Sequence, residues 1–304
     1  MSALHQFTAT MLERPVDPAV RDFAQQLACD AGADAVLFYG SNLRTGSLDG
    51  VLDFYLLLPG QGGERIWPRI GYREQEASGT VLRAKTATMT LGRFAEAAVG
   101  NSRDTTIWTR FAQPCALPWR RDEQAEEAVG HAIGQAAQTA AGFAAVLGPP
   151  QGRWDDYWRA LFQATYQAEF RVEPPGREHT ILANDPAHFA ALLPLAWQAT
   201  GLPFERLGNQ EYRPLLRAED RRRWLAWWKL RRRLGKPLNV ARLIKAAGTF
   251  DGAADYAAWK VRRHSGIELT VTPFRRQHPV LSVPGAAWEL WRKRPNRSAG
   301  SPPL

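Results

Sequence analysis

The 304-residue sequence predicts an α/β chain in two domains. The first, over residues 1–150, is built on a mixed sheet. The second, over 151–294, is mainly helical, and a disordered tail follows over 295–304. Three observations carry this expectation. The length exceeds the ~100–200 residues of a usual single domain. Compact apolar segments mix with helical periodicity before residue 150, whereas the pattern after it is almost wholly helical. Between the two, Gly148-Pro149-Pro150-Gln151-Gly152 punctuates the chain as a linker does.

Taken in order, residues 16–32 read as a helix that Asp17 caps, Pro18 opens and Gly32 closes. Ala35-Val36-Leu37-Phe38-Tyr39 is a short apolar strand that stops at Gly40-Ser41, and the segment from Val51 to Leu58 is a second, ended by Pro59-Gly60. Residues 69–76 and 80–90 form a hairpin around Ser78-Gly79, a helix follows at 92–99, and 120–147 is an Ala-rich helix. Beyond the linker, helices are expected at 154–170, 185–200, 218–234, 238–247, 253–264 and 285–293. The aromatic stripe Trp154, Tyr157, Trp158, Phe162 and Tyr166 is expected to be core.

Composition narrows the class. An apolar fraction of 45% supports a substantial core. No run approaches the ~18 apolar residues of a membrane span, and residues 1–14 show no secretory pattern. Cys29 and Cys115 stand in neither a metal-binding nor a redox spacing, which suits a reducing, cytoplasmic setting. Charge is the informative bulk property. Residues 1–200 hold 17 Lys and Arg against 22 Asp and Glu, whereas residues 201–304 hold 22 against 8. So basic a C-terminal third faces a polyanion or is simply a solvated basic surface.

The chemistry-bearing segment is Tyr39-Gly40-Ser41 followed by Leu52-Asp53-Phe54. A strand, a Gly-Ser turn and a carboxylate on the next strand is the opening of a polymerase-β-type nucleotidyltransferase domain. Glycine lets the backbone approach a triphosphate, while serine and neighbouring amides hold the outgoing phosphates. The strand carboxylate serves a divalent cation that steadies charge as pyrophosphate leaves. Such folds usually place a second carboxylate two residues on, where this chain has Tyr55.

These residues resemble the opening of the mitochondrial translocator assembly and maintenance family, which are peripheral phosphatidate cytidylyltransferases (CDP-diacylglycerol synthases) reading Tyr-Gly-Ser-Gly and then Asp-Phe. Two further blocks follow in the same order: Lys85-Thr86-Ala87-Thr88-Met89 with Thr109-Arg110-Phe111-Ala112-Gln113-Pro114, and Ala164-Thr165-Tyr166-Gln167-Ala168-Glu169-Phe170-Arg171. An Asp-Pro helix start comes next at Asp185-Pro186. The likeness spans roughly residues 35–190, with Gln113 and Glu169 replacing the family's Lys and Asp.

The resemblance implies an enzyme that converts CTP and phosphatidate to CDP-diacylglycerol and pyrophosphate with Mg²⁺, at the inner face of a membrane and without nucleic acid. Gly40 and Ser41 would hold the triphosphate, Asp53 would ligate Mg²⁺, and Lys85 and Arg110 would neutralise phosphates. Glu169 either supplies a second metal ligand or pairs with Arg171. Two alternatives stay open: a nucleotidyltransferase acting on RNA or on a small phosphorylated metabolite, and a non-catalytic nucleic-acid or membrane-binding module on a degenerate transferase core.

The segment Glu219–Gly235 combines seven cations with Trp224, Trp227 and Trp228. On a helix the three tryptophans and Arg231 share one side. That side either packs inward, leaving the cations outside, or settles on an anionic membrane. Lys245, Tyr256, Lys260, Arg262, Arg263 and His264 form a second basic, aromatic segment, to which the sequence assigns no role.

Overall fold

The computed structural model describes residues 2–62, 68–77, 79–168, 177–278 and 281–293. Helices α1 (Ala3–Leu12) and α2 (Pro18–Ala31) precede strand β1 (Ala35–Tyr39), the short helix α3 (Ser41–Thr45) and strand β2 (Leu52–Leu58). Then come β3 (Arg69–Ala77), β4 (Thr80–Thr90), α4 (Leu91–Ala98), α5 (Thr106–Phe111), β5 (Cys115–Arg120) and the long α6 (Glu123–Leu147). Helix α2 forms as its ends dictate. The Asp17 carboxylate accepts from the Ala19 amide, Pro18 occupies the first turn, and Gly32 closes the helix left-handed at φ 60°.

Five strands make one mixed sheet in the order β3-β4-β2-β1-β5. Only β2 and β4 run parallel; the other pairs are antiparallel. On one face Val36, Phe38, Leu52, Phe54 and Leu56 pack against Val20, Phe23 and Leu27 of α2. On the other, Leu37, Tyr55, Leu57, Ala87 and Met89 join the core around α4, α5 and α6. Burial on both faces explains why β1 and β2 read as continuous apolar runs rather than alternating ones. Strand β5 and helices α1 and α5 carry weaker local signals and were absent from the sequence expectation.

The rest of the chain runs through β6 (Gly152–Arg153), α7 (Trp154–Ala168), α8 (Arg177–Asn184), α9 (Pro186–Ala199), β7 (Phe204–Gly208) and β8 (Glu211–Pro214). Helices α10 (Ala218–Thr249), α11 (Ala253–Ser265), α12 (Pro273–Gln277) and α13 (Val283–Lys293) complete it. The mixed α/β class expected from sequence is the class observed. Side chains from both sides of residues 148–152 share one core: Trp108 and Phe143 lie in it with Trp158, Trp197 and Trp228. The α7 stripe is core as expected, with Tyr157, Trp158 and Phe162 fully buried.

Two expectations are corrected here. Residues 218–249 form one continuous helix with Pro237 inside it, not two helices broken before Pro237. A proline in a helix interior removes a donor and costs about 3 kcal/mol, so tertiary anchors must hold both halves. Arg231 donates to the carbonyls of Gly100 and, at 2.9 Å, Ser102, while Arg242 pairs with Asp104 at 2.8 Å. The second correction follows from the first. Arg231 is not an outer cation but is 4% exposed, its guanidinium over the rings of Phe143 and Trp227. Trp228 is buried beside it and Trp224 packs edge-on against Phe143, while Trp227 remains 43% exposed.

Candidate functional site

Strand β1 ends at Gly40, whose φ of 94° and ψ of −162° suit only glycine. A Cβ built there would stand 2.9 Å from Asp53 Oδ2. Glycine is therefore demanded twice, by backbone conformation and by the close approach of the carboxylate. Ser41, an exposed residue, opens α3, and its hydroxyl donates to Asn42 Oδ1 at 3.3 Å. The buried Asn42 then shapes the following loop, its side-chain amide donating to the carbonyls of Ser47 and Asp49 at 2.9 and 2.8 Å.

Asp53 lies on β2 within a single rung across four strands. Its register partner on β1 is Tyr39, its partner on β4 is Lys85, and the partner of Lys85 on β3 is Tyr72. Lys85 therefore sits inside the sheet beside the carboxylate, not at a strand edge. At one end of the rung, Arg110 from the last turn of α5 lays its guanidinium 5.1 Å over the Tyr39 ring. At the other end α11 arrives. Tyr256 rests on Tyr72 with ring centroids 5.3 Å apart, and the Lys260 ammonium lies 5.9 Å over the Tyr256 ring. The approach is fixed by the backbone, because the Tyr72 amide donates to the Asp251 carbonyl at 2.8 Å and Gly252 packs against Tyr72.

The electrostatics follow from this crowding. Burial pushes the Asp53 carboxyl above its ordinary value, and the charges of Lys85, Arg110 and Arg44 only partly oppose it. Burial likewise pulls the Lys85 ammonium down. Asp53 resists that shift, whereas Arg110 and Lys260 add to it. The raised Tyr256 phenol owes its shift first to burial and then to the Asp53 charge. One carboxylate thus shares its surroundings with the four cations Lys85, Arg110, Arg44 and Lys260. Such an excess favours an anionic ligand.

Tyr55, where a second carboxylate would stand in a paired-acid site, is fully buried between Phe94 and Phe111. Its ring packs with Tyr39, Phe94 and Phe111 in the core on the face of the sheet that Asp53 shares. Among the described residues no three His, Cys, Asp or Glu gather as a metal site. Mg²⁺ commonly binds through one or two carboxylates plus substrate phosphates and water. Asp53 alone, facing the open Gly40 turn, therefore fits a cation that arrives with a triphosphate better than a resident one.

The structure brings Gly40, Ser41, Asp53, Lys85 and Arg110 to one end of the sheet. Glu169 and Arg171 lie outside the described residues. Sequence reading missed Arg44 and gave Tyr256 and Lys260 no role. The available hint was their i, i+4 spacing on one face of α11.

No family model matches this chain, and no curated protein matches it in sequence. Among solved structures it is similar to a nucleotidyltransferase-like protein from Exiguobacterium sibiricum 255-15. The identity is 12% over 92% of this chain and 96% of that one, with a TM-score of 0.24. At that score the likeness carries no weight.

Proposed function

We propose that this protein is a nucleotidyltransferase that joins the nucleotidyl group of a nucleoside triphosphate to a phosphorylated acceptor, with CTP and phosphatidate as the substrates. The observation that supports this reading is the contact between Gly40 and Asp53, on a rung that also holds Lys85 and ends under Arg110. The Gly40–Ser41 turn offers exposed backbone to the triphosphate, and the four cations offset its charge. An acceptor phosphate oxygen attacks the α-phosphorus, the bond from that phosphorus to the β-phosphate oxygen breaks, and pyrophosphate leaves. A divalent cation carried by the nucleotide would stabilise the departing charge. Lys85 and Arg110 supply positive charge where the negative charge develops.

The direct test is pyrophosphate release by purified protein given CTP, Mg²⁺ and phosphatidate vesicles. Conversion of CTP without phosphatidate, or with a soluble phosphorylated metabolite only, would redirect the acceptor assignment. Ser41→Ala is expected to lower kcat/KM by about tenfold or less, because the neighbouring amides remain. Lys85→Ala and Arg110→Ala are expected to raise the KM for nucleotide or acceptor by tenfold or more, since each removes a charge-assisted contact of about 1.5–3 kcal/mol. Unaltered kinetic constants in both would remove these residues from the site.

A bilayer substrate requires a peripheral approach, because no helix among the described residues is long and apolar enough to cross a membrane. Exposed groups of α10 support such an approach: Arg221, Arg222 and Arg232 carry charge to its surface, and Trp227 and Leu230 are exposed elsewhere on the same helix. Sedimentation with anionic vesicles is expected at low salt and should weaken as the Debye length falls from ~10 Å at 0.1 M to ~3 Å at 1 M. Charge reversal at Arg221, Arg222 and Arg232 should reduce it more than reversal at Arg120 and Arg121, which are tied to Glu126 and Asp34. Equal losses would assign binding to net charge alone.

A further inference from the structure

Arg83 lies two residues before Lys85 on the same face of β4, about 7 Å along the strand. There α11 brings Trp259 within reach of two guanidiniums, with Arg83 5.7 Å and Arg263 5.3 Å from its ring. With Arg262 these residues line a cavity of about 350 Å³, within the ~300–1,000 Å³ range of ligand pockets. Its three charges meet two carboxylates, and Arg83 also donates to the Val81 carbonyl at 3.0 Å. Arg83 Nε is 3.2 Å from Glu74 but out of line for a hydrogen bond, and Arg262 meets Glu268 at 3.2 Å where both side chains are largely exposed. Arg263 meets no carboxylate within ion-pair distance among the described residues. Gly50, at φ 93°, leaves room for it: a Cβ there would stand 3.0 Å from Arg263 Nη1.

We propose that Arg83, Arg262 and Arg263 around Trp259 form a second anion site, distinct from the Asp53 rung, that takes the phosphate of a phosphate monoester. Crowded guanidiniums repel one another, and a dianion between them converts that repulsion into attraction. Arginine forks match phosphate oxygens two at a time. The aromatic plane of Trp259 holds the forks in place through cation–π contact. If the rung binds the triphosphate, as proposed above, the monoester here is the acceptor. Two of its oxygens are then gripped and the third is left to attack the α-phosphorus, as a dianion with no proton to lose.

Calorimetric titration with inorganic phosphate tests the site without turnover. The wild-type chain should bind two phosphates. Arg262→Gln with Arg263→Gln, both exposed on α11, should retain one and leave the thermal midpoint unchanged. Arg83→Gln should weaken the same site about tenfold or more. Lys85→Gln should lose the other phosphate. A single phosphate on the wild type, or two on the Arg262/Arg263 variant, overturns the proposal. Should Lys85→Gln bind both while the arginine variant loses one, the second site stands and the reading of the Asp53 rung falls. A vesicle arm separates the sources of the monoester. If phosphatidate vesicles displace the phosphate that the arginines hold, the monoester is a lipid headgroup; if only glycerol 3-phosphate displaces it, the monoester is soluble.

Discussion

Asp53→Asn is expected to lower nucleotidyl transfer by about a thousandfold or more while leaving the fold as stable as the wild type or more so. The carboxylate is the only acid on its rung, and Gly40 is kept bare in front of it. Losing the charge that steadies a triphosphate-bound cation forfeits several kcal/mol, and about 4 kcal/mol is a thousandfold in rate. The stability sign runs the other way. Because burial raises the Asp53 carboxyl in the folded chain above its ordinary 3.8, the ionised form opposes folding at neutral pH. That penalty lifts as pH falls through the folded value. The asparagine removes it at every pH, so the thermal midpoint at pH 7 should hold or rise. Rate and melting measured on the same preparation check both halves. Near-normal turnover ends the role assigned to Asp53, and a midpoint well below wild type means that its charge is structural.

The contrast between the two ends of the chain shows which features sequence can convey. Helix α2, strands β1 and β2 and the β3–β4 hairpin were legible because their signals are local: Asp17, Pro18 and Gly32 at helix ends, and apolar runs stopped by Gly40 and Pro59. The alignment of Asp53 with Lys85 was not. It depends on the parallel register of two strands with the edge strand β3 between them in sequence, which no local pattern encodes. The Trp224, Trp227, Trp228 and Arg231 spacing gave a shared helix side correctly, yet could not say what opposes it. Only the carbonyls of Gly100 and Ser102, more than a hundred residues away, explain a buried arginine. The same holds for Tyr256 and Lys260, whose place beside the rung is set by the Asp251–Tyr72 backbone contact.

That long-range tether leads to the largest expected stability effect, at Asp104. Its carboxylate is 6% exposed and pairs with Arg242 of α10 at 2.8 Å, while Thr106 donates to it from both its amide and its hydroxyl at 3.1 and 2.7 Å. Asp104→Ala removes the anion and leaves a mostly buried guanidinium without its carboxylate, which typically costs about 3–5 kcal/mol. The urea midpoint should fall accordingly at pH 7. Burial alone would raise the Asp104 carboxyl, but the Arg242 charge and the bonds from Arg242 and Thr106 outweigh it and hold the group below 3.8. Its stabilisation is therefore complete above that value and is lost as pH drops through the folded one. The gap between variant and wild type should thus be constant near neutrality and shrink in acid. Replacing Arg242 with Met in the same chain removes the stranded charge and should recover part of the loss. An Asp104→Ala chain that unfolds at the wild-type urea concentration would show that α10 is held without this pair, by the Arg231 bonds to Gly100 and Ser102 and by its apolar packing. A loss that persisted unchanged into acid would assign the effect to packing rather than to the ion pair. Because α10 leads directly into α11, loosening this anchor should also weaken phosphate binding beside Lys85 and Arg263, although Asp104 touches neither.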